Sequence, residues 1–537
     1  MRLFLIAASL VLALPVLALV GSWFAFDAAA WSVLSHQAAT VLPGYAGQSL
    51  LLALAVAAGV ALLGGGAAAA VALFEFPGRR AFEWALLLPM AMPAYVLAYV
   101  YTDTLQASGP LQAALREATG ARGALWPDVR SLPGAVVIFV LALYPYVYLL
   151  VRQALAERGV QLMEAARLLG AGLARRVGGV ALPLARPALA AGVALALMET
   201  LADYGVGAYF GLTTLSTGVF KAWLVMNDRV AAAQLATLLL IVVAVVLAIE
   251  RRARAQRRYT AARPGALQEG RPVVLRGGLA AFAWALCAVP VALGFLLPLG
   301  LLLRLVAREA MYGEVGLPWA RFLQWCWNSF SLAALAALAA AALALAFAFA
   351  LRFAGARRDA RTRLLRAGVG LVSLGYAVPG AVLAVGVLML LGAAQAAAPA
   401  LPAAALVTGT VFGLLYAYAV RFTAVAWQSV EAGYARLPAS LDDSARMLGA
   451  SRARLLGEVH LPLLRRSVFA ALLLVFVDVM KELPATLVLR PFDSDTLAVV
   501  AYNLARDERL AEAALPSLAI VLVGLAPVLL LVRAMRR

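Results

Sequence analysis

Two pairs of carboxylates interrupt strongly apolar stretches of this chain. Glu199 and Asp203 lie in Met198-Glu199-Thr200-Leu201-Ala202-Asp203-Tyr204-Gly205. Asp478 and Glu482 lie in Asp478-Val479-Met480-Lys481-Glu482-Leu483-Pro484-Ala485-Thr486. Glu199 aligns with Asp478 and Asp203 with Glu482, at one common offset of 279 residues. The i, i+4 spacing predicts that both acids of a pair share one helix face. A carboxylate in hydrocarbon costs about 2.5–3.5 kcal/mol on insertion scales, so such a residue faces protein interior or water. Four convergent acids would give a negative, oxygen-rich lining, and oxygen ligands suit a hard cation such as Fe(III). All four are therefore candidates for a substrate pathway, and for metal contact. The alternative is structural: Lys481 and nearby Arg side chains neutralise them, or they sit in the interface beyond the hydrocarbon. The residues alone leave both readings open.

The elements that must position these acids are membrane spans. The chain has 537 residues, 64% hydrophobic and 13% charged, with mean hydropathy +0.91. That is the membrane class. Twelve apolar runs are long enough to cross a bilayer, near 3–23, 49–73, 84–102, 133–151, 184–205 and 231–249, then 279–303, 329–351, 367–392, 403–420, 463–480 and 514–532. The first is read as a span rather than a signal peptide, because no small-x-small cleavage site leads into a soluble domain. The predicted fold is all-α and polytopic: two tandem six-helix halves, 1–250 and 278–537, joined by a basic linker at 251–277. Gly64-Gly65-Gly66 and the Ala-rich 331–350 are expected helix-packing faces. Pro93 and Pro379, in matching spans, are expected to kink them and to serve as hinges.

The net charge of +18 would suggest nucleic acid in a soluble protein. Its placement says otherwise. With the N-terminus in the cytoplasm and the spans alternating, most of the 45 basic residues fall on the cytoplasmic side. The charge is thus a topology signal, with attraction to the anionic lipid of the bilayer, and no nucleic-acid partner is expected. Both termini are then cytoplasmic. Cys287 and Cys326 have no metal-ligand spacing and cannot make a disulfide framework; the two histidines, His36 and His460, leave a Ser-His-Asp hydrolase poorly supported. The two lysines, Lys221 and Lys481, do not sit in a Walker A context. No cofactor and no nucleotide site are expected in this chain, which is not read as an enzyme. The outside loops, the largest being 103–132, are too short to capture a substrate by themselves.

A second duplicated stretch sets the frame. Its first copy is Glu164-Ala165-Ala166, then Gly170, then Val180-Ala181-Leu182-Pro183. Its second copy is Asp443-Ser444-Ala445, then Gly449, then Val459-His460-Leu461-Pro462, again 279 residues on. A gapless repeat of that length indicates a duplicated half. Both copies, at 160–187 and 437–466, are polar, Arg-bearing interruptions that the alternating topology places in the cytoplasm. Gly170 is a helix stop, and Pro183 opens the next helix. His460 is read as part of a docking surface, not as a metal ligand.

This pattern resembles the EAA loop of bacterial ABC importer permeases of the type I fold. Asp443 and Ser444 depart from it, while the acid, the Ala and the Gly persist. The resemblance implies that Glu164, Ala165, Ala166, Gly170, Leu182 and Pro183, with Asp443, Ser444, Ala445, Gly449, Leu461 and Pro462, couple the permease to an ATPase subunit. Two loops in one chain imply two ATPase copies, which use the ATP and Mg. Lys481-Glu482-Leu483-Pro484-Ala485-Thr486-Leu487, Arg490-Pro491-Phe492 and Thr496-Leu497-Ala498, with Glu199 to Gly205, resemble the ferric-ion permeases. That likeness implies iron(III) import across the inner membrane, with a periplasmic binding protein as partner. Thiamine or aminoalkylphosphonate is the alternative substrate within the class. A secondary transporter is the alternative class, and a scaffold without transport a third.

Overall fold

The computed structural model describes residues 2–25, 27–260, 272–313, 316–354, 359–400 and 410–535. The chain is an all-helical, polytopic membrane protein. Helices are the form an open chain can take in hydrocarbon, because each satisfies its own backbone groups. Among the described residues the sole sheet is a parallel pair of two-residue strands, Phe74–Glu75 with Val273–Val274.

Among the described residues, nine helices are long and apolar enough to cross a membrane, or up to ten when one bent pair counts as a span. Twelve apolar runs were expected; the one at 84–102 is the bent pair, and two others fall short. The run expected at 403–420 begins within 401–409, outside the described residues, and continues as helix Phe412–Tyr434, which carries Arg421 and Glu431. The run at 463–480 is helix Leu461–Met480, which carries Arg465, Arg466 and Asp478. Both are helices whose apolar character is broken by charge.

The helices group into two compact units that cut across the sequence halves. One contains Met1–Leu34, Ala222–Thr237 and Pro318–Val500. The other contains Ser35–Lys221, Leu238–Leu317 and Ala501–Arg537. In the first unit, the N-terminal helix Arg2–Gly21 therefore packs among helices of the second half. Gly386 permits this: a Cβ there would lie 2.4 Å from the Pro15 carbonyl oxygen. Helix Trp319–Ala354 forms that unit's spine. Ala333, Ala336, Ala337, Ala340, Ala341, Ala344 and Ala348 are all buried along it, the small-residue face expected from the sequence. In the other unit, helix Leu42–Leu73 lies along Leu132–Leu168, and Gly64 is the close point: a Cβ there would meet the Tyr144 carbonyl oxygen at 2.6 Å.

The two expected proline kinks are helix starts instead. Pro93 is the residue before helix Ala94–Leu105 and Pro379 the residue before Gly380–Ala397; each follows a tight 3-10 turn. Extended ψ values of 143° at both prolines break the chain outright rather than bending a continuous helix. At Pro93 the helical segments on either side meet at 89°. The expected linker is also more ordered at its edges than its composition implied: helix Arg229–Thr260 enters it, and Val273–Val274 leaves it as a strand. Its middle, 261–271, lies outside the described residues.

Candidate functional site

The two EAA-like loops fold alike, residue by residue. Helix Leu132–Leu168 ends the first acid-small-Ala triplet; helix Ser440–Met447 carries the second. Gly170 and Gly449 follow with φ of +80° and +79°. In the first loop the Gly170 amide donates to the Arg167 carbonyl and the Ala171 amide to Ala166. In the second the Gly449 amide donates to Arg446 and the Ala450 amide to Ala445. This is the Schellman closure, and it needs a left-handed residue that glycine supplies without a Cβ clash. A Cβ at either glycine would meet nothing within 4 Å. The glycine is therefore required by its backbone angles and not by a crowded neighbour. Each loop then makes one short helix and a π turn, Val177–Ala181 or Leu455–His460, and enters its next helix through Leu-Pro.

Exposure repeats too. Glu164 and Ala165 match Asp443 and Ser444 as exposed residues, Ala166 matches Ala445 as half-buried, and Leu182-Pro183 and Leu461-Pro462 are exposed. Just before each glycine stands a bare apolar pair: Leu168 and Leu169 are 81% and 88% exposed, Met447 and Leu448 89% and 87%. The spacing reading passed over this pair. Its signal was there, two large apolar residues inside an otherwise polar loop at the same place in both copies.

Beneath these matching surfaces the loops are held differently. In the second, Arg352 donates from Nε to Asp442 Oδ2 at 2.8 Å and from its other nitrogens to the Leu437 and Pro438 carbonyls. His460 Nε2 lies 2.9 Å from the other Asp442 oxygen, and its Nδ1 3.2 Å from the Tyr434 hydroxyl. His460 is 1% exposed, so it braces the loop from within and is not on a docking surface as expected. Burial works to raise the Asp442 pKa, but the hydrogen bonds from Arg352 and His460 outweigh it and hold the carboxyl below its ordinary value. The matching residues of the first loop, Met163, Ala181, Leu73 and Leu155, are apolar and buried.

The acid pairs depart from the expected helix face. Helix Leu182–Ala202 stops before Asp203, whose backbone is extended at φ −69°, ψ 136°. Its Oδ1 instead accepts the Val206 amide at 2.8 Å and caps the short helix Gly205–Tyr209. Glu482 does the same in the other half. Its carboxylate accepts the Ala485 and Thr486 amides at 3.0 and 2.9 Å, ahead of helix Pro484–Leu489. In each pair only the first acid lies on the long helix. The second acid starts the next helix, as its position before Gly205 or Pro484 allows.

Their partners differ. Glu482 is 5% exposed and ion-paired with Arg421 at 3.1 Å, with the Thr486 hydroxyl donating to it as well. Asp478 pairs with Lys481 at 3.2 Å. Lys481 and nearby Arg side chains were the expected structural partners; Lys481 takes Asp478 and the buried Arg421 takes Glu482. Asp203 makes no ion pair among the described residues. No three Asp, Glu, His or Cys side chains stand close enough, among the described residues, to hold one metal ion.

Fold and loops together point to one class, the multi-pass inner-membrane permeases of ABC importers, and the similarities of the chain lie in that class. Residues 61–258 match the family described as "Binding-protein-dependent transport system inner membrane component", a range that holds the first loop and its acid pair. The chain is similar to the Fe(3+)-transport system permease protein FbpB 2 of Haemophilus influenzae, 24% identical over 483 residues, 90% of this chain and 88% of that one. It is similar over shorter stretches to two other permeases. The putative 2-aminoethylphosphonate transport system permease protein PhnU of Salmonella paratyphi A is 26% identical over 35% of this chain and 66% of its own. The molybdenum transport system permease protein ModB of Escherichia coli is 31% identical over 24% of this chain and 55% of its own.

Proposed function

We propose that this chain supplies the whole membrane pathway of an ATP-driven importer for iron(III), delivered by a periplasmic binding protein. Two copies of an ABC ATPase dock on the loops at 160–187 and 437–466, and the halves 1–250 and 278–537 rock against each other as ATP binds and is hydrolysed. The nucleotide and its Mg belong to those ATPases. The loops, the linker 251–277 and both termini face the cytoplasm. The observation that carries this reading is the paired loop geometry: the same Schellman-closed glycine and the same bare apolar pair in both copies. A bare pair of large apolar side chains on a short rigid helix is what a partner's groove receives. Iron rests on the near full-length similarity to the FbpB 2 permease, and thiamine or an aminoalkylphosphonate is the alternative cargo.

The test is co-assembly of the chain with its candidate ATPase in lipid. Leu168→Asp with Leu448→Asp is expected to leave the permease inserted while ATPase binding falls at least about tenfold, about 1.4 kcal/mol. Wild-type binding by that double variant would remove the loops as docking sites. Uptake that runs on a substrate or ion gradient without ATPase would point to a secondary transporter.

A further inference from the structure

Beside the first acid pair lies a group of hydroxyls that the coupling loops do not use. Tyr95, Tyr99 and Thr102 come from helix Ala94–Leu105, Tyr204 and Tyr209 follow Asp203, and Tyr502 comes from helix Leu497–Arg506. Ring contacts fix the frame. Tyr99 meets Tyr209 edge-on with centroids 4.7 Å apart, and Tyr204 stacks on Phe220 at 3.9 Å. The Tyr204 and Tyr502 hydroxyls are 3.3 Å apart. Asp203 lies within electrostatic reach of the Tyr99 and Tyr502 hydroxyls.

Two features separate this group from plain packing. Tyr99 and Thr102 are 3% and 0% exposed, and Tyr209 is buried beside them, yet none of the three hydroxyls completes a hydrogen bond among the described residues. The Tyr209 oxygen faces Thr102 and Arg130. A buried hydroxyl without a partner is destabilising, so packing alone would favour Phe at 99 and 209. Second, Asp203 makes no ion pair among the described residues. Arg130, over the Tyr209 ring at 5.0 Å, is itself engaged by Glu508 at 3.2 Å.

We propose that Asp203 and the phenol oxygens of Tyr99, Tyr209 and Tyr502 form a transit site for a hard trivalent cation. Naming that cation iron(III) rests on the function proposed above. Carboxylate and phenolate oxygens replace water around such an ion, and tyrosine is an established iron ligand. Each phenol that ligates exchanges its O–H bond for an Fe–O bond; its proton leaves to water, and the iron stays ferric. The Tyr99 and Tyr209 hydroxyls are available without first breaking other bonds, and Tyr502 has only its 3.3 Å bond to Tyr204 to release. A site made of them and one carboxylate holds the ion and still lets it go, as a pathway requires. An oxyanion would meet the Asp203 charge unfavourably.

The full chain in lipid nanodiscs is titrated with ferric nitrilotriacetate and followed by visible absorption. An Fe(III)–phenolate charge-transfer band is expected. Tyr99→Phe and Asp203→Asn should each raise the apparent dissociation constant at least about tenfold. Thermal stability should hold or rise in Tyr99→Phe, because that hydroxyl has no partner to lose. Tyr416→Phe, whose hydroxyl donates to the Val11 carbonyl in the other unit, should leave the band unchanged. No band, an unchanged band in both variants, or unfolding of Tyr99→Phe overturns the site, as does hydroxyl-dependent binding of molybdate. Iron uptake by the complete wild-type complex separates the two ideas. Uptake that survives both variants sinks the site alone; a wild type that moves no iron sinks the iron reading with it.

Discussion

The two halves have kept the same surfaces and diverged underneath them. In the second half, buried carboxylates are matched by cations: Glu482 by the buried Arg421, and Asp442 by the half-buried Arg352, with His460 hydrogen-bonded to its other oxygen. At the matching first-half positions stand Ala142 for Arg421, Leu73 for Arg352, Met163 for Asp442 and Ala181 for His460. Asp203 alone keeps its counterpart's carboxylate, and it has lost the cation. This difference teaches that the four acids are not one set. Glu482 is ion-paired within its own half, whereas Asp203 makes no ion pair among the described residues.

The sharpest way to break that comparison is to neutralise each second acid in turn. Glu482→Gln removes the negative partner of the buried Arg421–Glu482 ion pair, and removing one partner of a buried pair costs about 3–5 kcal/mol. The cost is expected in this half from Arg421, not from Lys481, which keeps Asp478. Asn at 203 can still accept the Val206 amide, and no cation is stranded. Unfolding measured in detergent should therefore separate Glu482→Gln from Asp203→Asn by at least about 2 kcal/mol. Equal losses would mean that the first half hides a partner for Asp203 and that the halves are alike after all.

The next largest effect concerns what the halves share. Gly170→Ala and Gly449→Ala each place a Cβ in left-handed backbone, at about 1–2 kcal/mol. The space around both is open, so even this small side chain suffices and a larger one adds little. Both variants should insert normally and lose substrate-stimulated ATP hydrolysis in the reconstituted complex. Full stimulation in both would detach the glycines from coupling.

How much of this was legible in the sequence depends on which atoms decide it. The loops were, because Gly170 and Gly449 are demanded by local backbone geometry, and local geometry is written in residue type and spacing. The spans were, because hydrocarbon imposes length and apolarity on each helix separately. The acids were found as residues but misplaced as a pair. The i, i+4 rule holds only while a helix continues, and Asp203 and Glu482 end one helix to cap another. Arg421 and Arg352 were not legible at all as partners. They lie 61 and 90 residues from the acids they meet, and only packing brings them there. The exchange of the N-terminal helix into the unit of the second half was hidden for the same reason: nothing local to 1–34 says which half will bury it.

The smallest effect tests the divergence at the loops. Asp442 titrates below its ordinary range in the folded protein, because Arg352 and His460 favour its charged form over the opposing effect of burial. A depressed carboxyl pKa stabilises the fold above the unfolded pKa, and that contribution disappears as pH falls through the folded value. Helix Ser440–Met447 should therefore lose hydrogen-exchange protection as pH drops below about 4, the ordinary Asp range. The matching turn around Glu164 to Leu169 should not, because Met163 stands where Asp442 does and has no proton to take up. Asp442→Asn should remove the pH step and cost about 1 kcal/mol, the net worth of a typical hydrogen bond, since Arg352 keeps its bonds to the Leu437 and Pro438 carbonyls. Exchange is read peptide by peptide at matched intrinsic rates. If both loops lose protection together, acid is opening the whole chain. If neither does, Asp442 carries no stabilising charge, and the polar brace of the second loop is equivalent to the apolar one of the first.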